Sequence, residues 1–408
     1  MLVDGGRRAG GGQPISLIPC LGGRGHGRSS GGARRAAVAL VLTLALGAAG
    51  AGADWPMFGG GPTHVGVADQ GPGPAAAVVW SLALGSSVDS SPAVVGDRVF
   101  VGTAEGEMCA VSAGEGKLLW RFPTGGTVIS SPAVEGDRVV FGSVDCFVYC
   151  LGAAEGKLLW RYRTWKPVTA SPTVVEGVAY IGSIDGTLTA LGLEKGEVRW
   201  QVQDPSGISC APVVANGWVF YGDRGGTVRA RRADTGKQIW EAASKSPVVA
   251  SPTLVGSTLL VPYMSYTALT PPKVDYLVAY DGATGNRLWG LNGVMSVFTT
   301  VAVTEGVAYL ATVEGYLSDT VVTAVNLADG SMRWKHPMGR AVVASSPVVA
   351  GDYLYYGAGD GALHLLSRQT GQQVGQVELA TKVYSSPAVS GGKLYVGANG
   401  GKLYCVGG

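Results

Sequence analysis

Residues 91–120 read SPAVVGDRVFVGTAEGEMCAVSAGEGKLLW, and variants of this stretch recur along the chain. A Ser-Pro pair or its equivalent recurs at Ser91-Pro92, Ser131-Pro132, Ser171-Pro172, Ala211-Pro212, Ser251-Pro252, Thr300-Val301, Ser346-Pro347 and Ser386-Pro387, which we call the Ser-Pro series. A second series, the tryptophan series, consists of Trp80, Trp120, Trp160, Trp200, Trp240, Trp289 and Trp334, with Val374 in the eighth place. Both series indicate eight repeats of about forty residues, a period typical of repeat architectures.

Each repeat contains four short apolar runs separated by turn residues. In residues 91–124 the runs are divided at Gly96-Asp97, Glu105-Gly106 and Glu115-Gly116. Glycine pairs of this kind supply the positive φ angles that two-residue hairpins need. The runs are too short, and too rich in Val, Tyr and Gly, for helices. The sequence therefore predicts an all-β fold, an eight-bladed β-propeller with four-stranded antiparallel blades.

The two ends of the chain predict how the ring closes. The last repeat stops at Gly408, where its outer strand should begin, while Val78–Leu84 forms an outer strand without a blade of its own. We expect this N-terminal strand to complete the eighth blade and to cover its unpaired edge. The propeller then spans residues 76–408, preceded by an extension at residues 54–75.

The first 53 residues have the pattern of an export leader. Residues 1–33 are rich in Gly and Arg, which indicates a disordered leader or a start site assigned too early. Residues 34–53 contain Arg34-Arg35, an apolar run from Ala36 to Leu46 and a small-residue cleavage signal at Ala51-Gly52-Ala53. We expect a mature chain that begins at Asp54, in the periplasm or outside the cell. No cysteine stands at a lipoprotein cleavage position, so no lipid anchor is predicted.

Composition and charge exclude two further classes. A hydrophobic fraction of 46% with positive mean hydropathy argues against a disordered chain. Removing residues 1–53 takes away six Arg and one Asp, which leaves 25 basic and 28 acidic residues and a net charge of −3. Such a chain has no basic stripe for a nucleic-acid backbone. Cysteine spacing assigns no disulfide, and the four histidines have no zinc-ligand spacing.

The outer half of each repeat resembles the tryptophan-docking motif of the PQQ-like-repeat proteins, a family that includes quinoprotein dehydrogenases and non-enzymatic BamB-like members. Ala279 to Trp289 reads AYDGATGNRLW, and four further copies end at Trp120, Trp200, Trp240 and Trp334. The resemblance covers roughly residues 54–408. It implies that the seven tryptophans of the tryptophan series connect each blade to a neighbouring blade. It also implies that Cys150 and Cys405 take the small position of the motif. His364 and Val374 would replace Ala and Trp in blade seven, making that join the weakest.

The quinoprotein branch of the family implies a cofactor that this chain is not expected to bind. PQQ carries several carboxylates and needs a calcium ion held by protein oxygens beside a carboxylate base. Most such enzymes also have two adjacent cysteines, and this chain has none. Acids near the inner strands are few, essentially Asp89 and Asp204. We therefore expect no catalytic, cofactor-binding or metal-binding residues, although a PQQ-dependent dehydrogenase remains an alternative.

Two adjacent repeats depart from the common length. The interval from the Pro position to the docking motif is 17 or 18 residues in six blades, but 27 from Pro252 to Ala279 and 23 from Val301 to Ala324. Both insertions fall between the second and third strands, on the face that the inter-blade links share. Loops on a rigid scaffold often carry binding residues, although neutral variation of a tolerant turn is the alternative. The candidate partner-binding residues on this face are Tyr263, Tyr266 and Tyr316 as aromatic anchors, with Lys166, Lys245, Arg340 and Lys382 as a cationic rim.

Three functions remain open at this point. The favoured hypothesis is a monomeric, non-catalytic scaffold that binds a protein partner, as BamB-like proteins do in outer-membrane assembly. The alternatives are a quinoprotein dehydrogenase and a binder of carbohydrate or another small ligand at the channel mouth. The fold alone does not choose among them.

Overall fold

The computed structural model describes residues 54–244, 246–264, 274–293, 295–296, 299–314, 319–339 and 344–408, and it confirms the eight-bladed propeller. The first strands of adjacent blades contact each other between blades one and two, two and three, three and four, six and seven, and eight and one, which places these strands around a central axis. None of the helices formed by these residues is both long and apolar enough to cross a bilayer. The described residues contain one short 3-10 turn, Phe58–Gly60.

The strands of blades one to four follow one another without crossovers. Their bounds are Ala93–Val95, Arg98–Gly102, Glu107–Ser112 and Leu118–Pro123 in blade one; Ala133–Glu135, Arg138–Gly142, Phe147–Gly152 and Leu158–Arg163 in blade two; Thr173–Val175, Val178–Gly182, Thr187–Gly192 and Val198–Gln203 in blade three; and Val213–Ala215, Trp218–Gly222, Thr227–Arg232 and Gln238–Ala243 in blade four.

Blades five to eight keep this plan, with additional strands from the N-terminal part of the described chain and from the link between blades five and six. Their bounds are Thr253–Val255, Thr258–Pro262, Val274–Asp281 and Arg287–Gly293 in blade five; Ala302–Thr304, Val307–Glu314, Asp319–Asn326 and Met332–Pro337 in blade six, with Met295–Ser296 paired to the second of these; Val348–Ala350, Tyr353–Gly357, Ala362–Ser367 and Gln373–Glu378 in blade seven, with Val67–Ala68 parallel to the first; and Ala388–Ser390, Lys393–Ala398, Lys402–Gly407 and Ala77–Ala83 in blade eight.

The ring closes as the sequence predicts. Ala77–Ala83 pairs antiparallel with Lys402–Gly407, so the N-terminal strand is the outer strand of the eighth blade. The serines of the Ser-Pro pairs add a second closure near the axis. The backbone N–H of Ser91 donates to Ser131 Oγ at 3.0 Å, and the same bond from Ser386 to Ser91 joins the last blade to the first. The serines of the Ser-Pro series therefore form contacts between neighbouring blades.

The docking tryptophans contact the next blade in a uniform geometry. The indole N–H groups of Trp80, Trp120, Trp160, Trp200, Trp240, Trp289 and Trp334 donate to backbone carbonyls of Ala113, Ala153, Leu193, Ala233, Gly282, Leu327 and Arg368, at 2.7–3.1 Å. Each ring lies against a glycine of that blade. A Cβ on Gly116, for example, would lie 2.6 Å from Trp80, so this position needs glycine.

The prediction that Val374 takes the eighth place of the tryptophan series is wrong by one residue. The strand register pairs Leu365 with Gly375, which are therefore the counterparts of Ala110 and Trp120. His364 faces the opposite side of the sheet because adjacent strand residues alternate, and its Nε2 lies 2.9 Å from Asp360 Oδ2.

The space left by the missing tryptophan is taken by the N-terminal extension. A Cβ on Gly375 would lie 3.1 Å from the carbonyl oxygen of Pro74. The Tyr355 hydroxyl donates to the carbonyl oxygen of Pro72, whereas its counterpart Tyr309 donates to Arg368 in the next blade. The extension thus fills the join between blades seven and eight, and the missing Trp alone gives no reason to regard that join as the weakest.

Candidate protein-binding face

The links between blades and the hairpins between second and third strands form one face of the ring. The Val144 N–H, in a hairpin of blade two, donates to the Thr127 carbonyl of the preceding link at 3.0 Å. The Ile184 N–H of blade three donates to the Pro167 carbonyl at 3.1 Å. This shared face is the one on which the sequence places the candidate binding residues.

The most exposed large hydrophobic side chain of the described residues lies on this face. Trp165 is 87% exposed, and the exposed hydrophobic residues Ile129 (39%) and Val144 (36%) come from the neighbouring link and hairpin. Lys166 follows Trp165 and is also exposed. We call Ile129, Val144, Trp165 and Lys166 the Trp165 patch. A single exposed apolar residue is ordinary, whereas an exposed tryptophan on the same face as further exposed apolar residues is typical of an interaction surface.

The backbone holds Trp165 in place although its ring is exposed. Its N–H donates to Asp185 Oδ2 at 3.0 Å, in the hairpin of blade three. The preceding Thr164 hydroxyl lies 2.7 Å from the Lys166 carbonyl oxygen and 3.0 Å from that of Cys146. The link is therefore anchored on both sides, and binding through this indole would cost little backbone entropy.

The acidic groups near the patch are engaged in turn hydrogen bonds. Asp145 accepts the Gly125 N–H and the Tyr149 hydroxyl, each at 2.7 Å. Burial raises the pKa of Asp185, but hydrogen bonds from Thr187 and Trp165 outweigh it and hold that pKa below its usual value. Arg163 and Lys166 are exposed at the same link. The patch consequently presents apolar surface with cations beside it.

The structure places the predicted binding residues unevenly. Lys166 lies between blades two and three and Lys382 between blades seven and eight, so these two cations are not neighbours around the ring. Both side chains are exposed. Lys245, Tyr266, Tyr316 and Arg340 lie outside the described residues.

The expectation that Tyr263 is an exposed anchor is wrong. Its side chain is completely buried, and its hydroxyl lies 2.7 Å from that of Tyr280. The Tyr263 N–H donates to the Tyr276 carbonyl, so the strand pair of blade five continues into the insertion. This extra pair turns Tyr263 into the core between blades four and five.

The cysteines of residues 54–408 are buried or half-buried, and none forms a disulfide. Cys150 and Cys405 pair with Trp160 and Trp80, as expected for the small position of the motif. Burial raises the pKa of both Cys109 and Cys150 to about 12. These two thiols are thus poor nucleophiles and poor metal ligands.

The described residues contain no cluster of three His, Cys, Asp or Glu side chains that could hold a metal ion. Asp204, one of the two inner acids, is buried and accepts hydrogen bonds from Tyr221 and Arg231. Asp89 accepts the Ser87 hydroxyl at 3.0 Å.

Sequence reasoning missed two features of the structure. Arg229 and Arg231 lie on a buried strand where the equivalent residues of blade two are Tyr149 and Leu151, and their departure from the repeat was a visible signal. The second feature is His64, which is buried at the axis of the ring. Nothing in the residues around His64 indicated that position.

Comparison with known proteins places this geometry in a family. BamB from Moraxella catarrhalis is 18% identical, with a TM-score of 0.69 over 81% of this chain and 99% of that chain. The quinohemoprotein alcohol dehydrogenase of Comamonas testosteroni is 15% identical, with a TM-score of 0.70 over 88% of this chain and 81% of that chain. The quinohemoprotein alcohol dehydrogenase ADHIIG of Pseudomonas putida HK5 is 13% identical, with a TM-score of 0.72 over 87% of this chain and 80% of that chain. At these identities the likeness shows the fold alone. No curated protein sequence matches the chain.

A family model described as "Outer membrane protein assembly factor BamB" matches residues 72–147, 147–213, 205–317 and 260–407. These matches cover most of the propeller, including the docking tryptophans and the closing strand. The chain therefore belongs to the BamB family of PQQ-like-repeat propellers.

Proposed function

We propose that this protein is an exported, non-catalytic scaffold that binds a protein partner through the Trp165 patch. The observation that carries the proposal is the 87% exposed indole of Trp165 on an anchored link. Tryptophan is enriched among the residues that dominate binding energies at protein interfaces. The family description, an outer-membrane assembly factor, supports a partner in the cell envelope.

The flanking charges indicate how the patch would work. Trp165, Ile129 and Val144 would supply the buried centre of the interface, because apolar and aromatic residues are favoured there. Lys166 and Arg163 would form a cationic rim that speeds encounter with an acidic partner. The export leader at residues 34–53 lies outside the described residues, and it supports an extracytoplasmic partner only through its sequence.

A photo-crosslinking experiment tests this proposal. A photoreactive amino acid at position 165 should give a covalent adduct in intact cells, whereas the same group at Leu288 should not. Leu288 is a suitable control because it is 52% exposed on the outer strand of blade five, away from the link. The adduct then identifies the partner for purified binding measurements.

Substitution measures the contribution of the indole. Trp165→Ala should weaken binding of that partner by about tenfold or more, because truncating a central interface tryptophan costs on the order of 2 kcal/mol. Leu288→Ala should leave affinity unchanged, and both variants should keep the melting temperature of the parent. Equal affinity of the Trp165→Ala variant and the parent would overturn the choice of patch.

A cofactor assay separates this function from the dehydrogenase alternative. Purified protein mixed with PQQ and calcium should retain no chromophore after gel filtration and should not oxidise alcohols in a dye-linked assay. The reason is that the described residues contain no cluster of three His, Cys, Asp or Glu side chains that could hold a metal ion, and their inner acids are already hydrogen-bonded. Stoichiometric PQQ binding with turnover would overturn the scaffold proposal.

A further inference from the structure

The innermost strands of the propeller present one edge to the axis. In blade one Val94 pairs with Val99 of the second strand, and its own N–H points away from that strand. An unpaired strand edge is a row of hydrogen-bonding groups that another extended chain can pair with. We call residues 54–66 the axial segment, because this stretch meets those edges.

The axial segment follows the inner edges around the ring in blade order. Its carbonyl oxygens accept the N–H groups of equivalent first-strand residues in six blades. The bonds run from Val94 to Trp55, Val134 to Pro56, Val214 to Pro62, Leu254 to Thr63, Val303 to Val65 and Val349 to Gly66, at 2.8–3.0 Å. The contacts therefore use the main chain, as when an extended peptide is added to a sheet edge.

Three side chains of the axial segment are buried. Trp55 packs into the core of blades one, seven and eight, and Met57 packs into that of blades two and three. His64 Nδ1 lies 3.1 Å from the Pro252 carbonyl oxygen, and its Nε2 lies 3.4 Å from Thr173 Oγ1. His64 thereby joins blade three to blade five across the axis. A cavity of about 10 Å³ lies beside the segment and is lined in part by Trp55, Phe58 and His64.

The circular path needs residues that tolerate left-handed backbone angles. Gly59 has a φ of +68°, and a Cβ there would lie 2.7 Å from the Cα of His64. Gly61 is the opposite case, since it has an extended φ of 176° and an added Cβ would have no atom within 4 Å. The two glycines are a matched pair for testing the path.

We propose that the axial edge of the ring is a peptide-binding site and that the axial segment is its resident ligand. The site takes an extended Gly- and Pro-rich peptide through the first-strand N–H groups, with separate places for an indole and an imidazole. The bonded residues, such as Val94, stand two residues before the hairpin at Gly96. The ligand therefore lies at the end of the channel opposite the inter-blade links and the Trp165 patch.

Cutting the full-length protein after it has folded tests this site. Asp69 and Gln70 are exposed, so a protease site can replace them without disturbing buried contacts. After cleavage, the N-terminal fragment should remain bound through gel filtration. It should then exchange, one to one, with a labelled synthetic peptide of residues 54–68. Immediate loss of the fragment, or no uptake of the peptide, would overturn the proposal.

Peptide variants test the recognition itself. Peptides with Trp55→Ala or His64→Ala should bind at least about tenfold more weakly, because each loses a buried side chain. The Gly59→Ala peptide should fail to exchange, whereas Gly61→Ala should exchange like the parent peptide. Equal exchange of the two glycine variants would show that the segment does not follow this path.

Amide hydrogen exchange in the uncut chain gives an independent measurement. The N–H groups of Val134 and Val214 should be protected, since their only backbone acceptors on the axial side belong to the segment. Gly59→Ala in the full chain should speed their exchange at least about tenfold, while the N–H of Leu188, within the hairpin of blade three, should stay protected. Unchanged protection of Val134 and Val214 would overturn the proposal.

Discussion

The interface between blades one and two is aromatic, whereas the equivalent interface between blades three and four is ionic. In the first, Tyr149 stacks on Phe141 with ring centroids 5.4 Å apart and contacts Phe122 and Phe147 at 5.7 and 5.9 Å. Its hydroxyl donates to Asp145. The cluster around Tyr149 is formed by apolar side chains of both blades, and its uncharged polar pair, Thr124 Oγ1 and Ser143 Oγ, lies 3.3 Å apart.

The second interface contains a network of buried charges. Asp204 accepts the Tyr221 hydroxyl at 2.6 Å and Arg231 Nη2 at 2.8 Å. Arg229 Nη1 lies 2.6 Å from Asp223 Oδ2, and its Nε lies 3.4 Å from Asp204 Oδ1. All five residues are more than nine-tenths buried.

Both interfaces use the same positions of the repeat, 80 residues apart. Tyr221 stands where blade two has Phe141, Arg229 where it has Tyr149, and Arg231 where it has Leu151. The backbone of a blade therefore accepts either chemistry. The two interfaces should differ in how well they tolerate substitution. A buried ionic network is stable only when every charge keeps its partner, whereas an apolar interface loses stability in proportion to the side-chain atoms that are removed.

The largest expected effect follows from removing one charge of the ionic interface. Asp204→Ala leaves Arg231 without its carboxylate and Arg229 with a poorer set of partners, so the free energy of unfolding should fall by about 3–5 kcal/mol. Denaturant titration measures this change. Asp234→Ala, at an exposed ion pair with Arg232, should leave the midpoint unchanged. If the Asp204→Ala variant unfolded at the same denaturant midpoint as the parent, the two arginines would not depend on Asp204 as their partner.

Alkaline pH should act on the same network through Tyr221. Burial, followed by the charge of Asp204, raises the pKa of Tyr221 well above its usual value near 10. Above pH 10 the unfolded chain therefore binds fewer protons than the native one, and stability falls as pH rises. In Tyr221→Phe the slope of unfolding free energy between pH 10 and 11 should be shallower by up to about 1.4 kcal/mol per pH unit. An identical slope in variant and parent would contradict this assignment.

The aromatic interface should lose less stability when the Tyr149 hydroxyl is removed. Tyr149→Phe keeps the ring stack and removes the hydrogen bond to Asp145, which still accepts the Gly125 N–H. The expected loss is about 1 kcal/mol, the net value of one hydrogen bond. Denaturant midpoints of Tyr149→Phe and Asp204→Ala, measured side by side, should differ at least twofold in their shift. Equal shifts would remove the distinction between the two interfaces.

The smallest effect is expected when the whole network is exchanged for its counterpart. The variant combines Asp204→Thr, Tyr221→Phe, Asp223→Ser, Arg229→Tyr and Arg231→Leu, the residues that blades one and two place at these positions. Replacing a complete buried ionic network by packed side chains is often neutral or stabilising. Thermal unfolding should show a melting temperature equal to or above that of the parent. A loss as large as that of Asp204→Ala would mean that the ionic residues shape this interface beyond their charges.

Most of the fold could be predicted because the repeat is local. Ser-Pro pairs, hairpin glycines and docking tryptophans each occupy a fixed place within about forty residues, so their spacing reveals the blades and the closing strand. In blade seven the same reasoning placed the equivalent of the docking tryptophan one residue away from its true position. There the tryptophan is absent, and only the pairing of Leu365 with Gly375 decides the register.

The candidate site was less predictable because exposure depends on contacts between repeats. Lys166 was a predicted candidate, whereas Trp165, which stands beside it in the link, was not among the predicted binding residues. Tyr263 looked equally suitable in its insertion, yet one additional strand pair turns it into the core. A residue in a loop and a residue one position inside an extended strand have the same sequence signature.

By itself the sequence determined the number of blades, the strand plan and the strand that closes the ring, because backbone hydrogen bonding and turn chemistry act over short distances. Only the tertiary structure decided where residues 54–75 lie. It places His64 at the axis and Pro74 against Gly375, in contacts with first strands and blades hundreds of residues away in the chain. Such contacts have no period, since each forms once, between a unique segment and a repeated surface. The inner edge of the ring and the space beside Gly375 exist only in the assembled blades, so no local pattern of residues marks them as contacts of that segment.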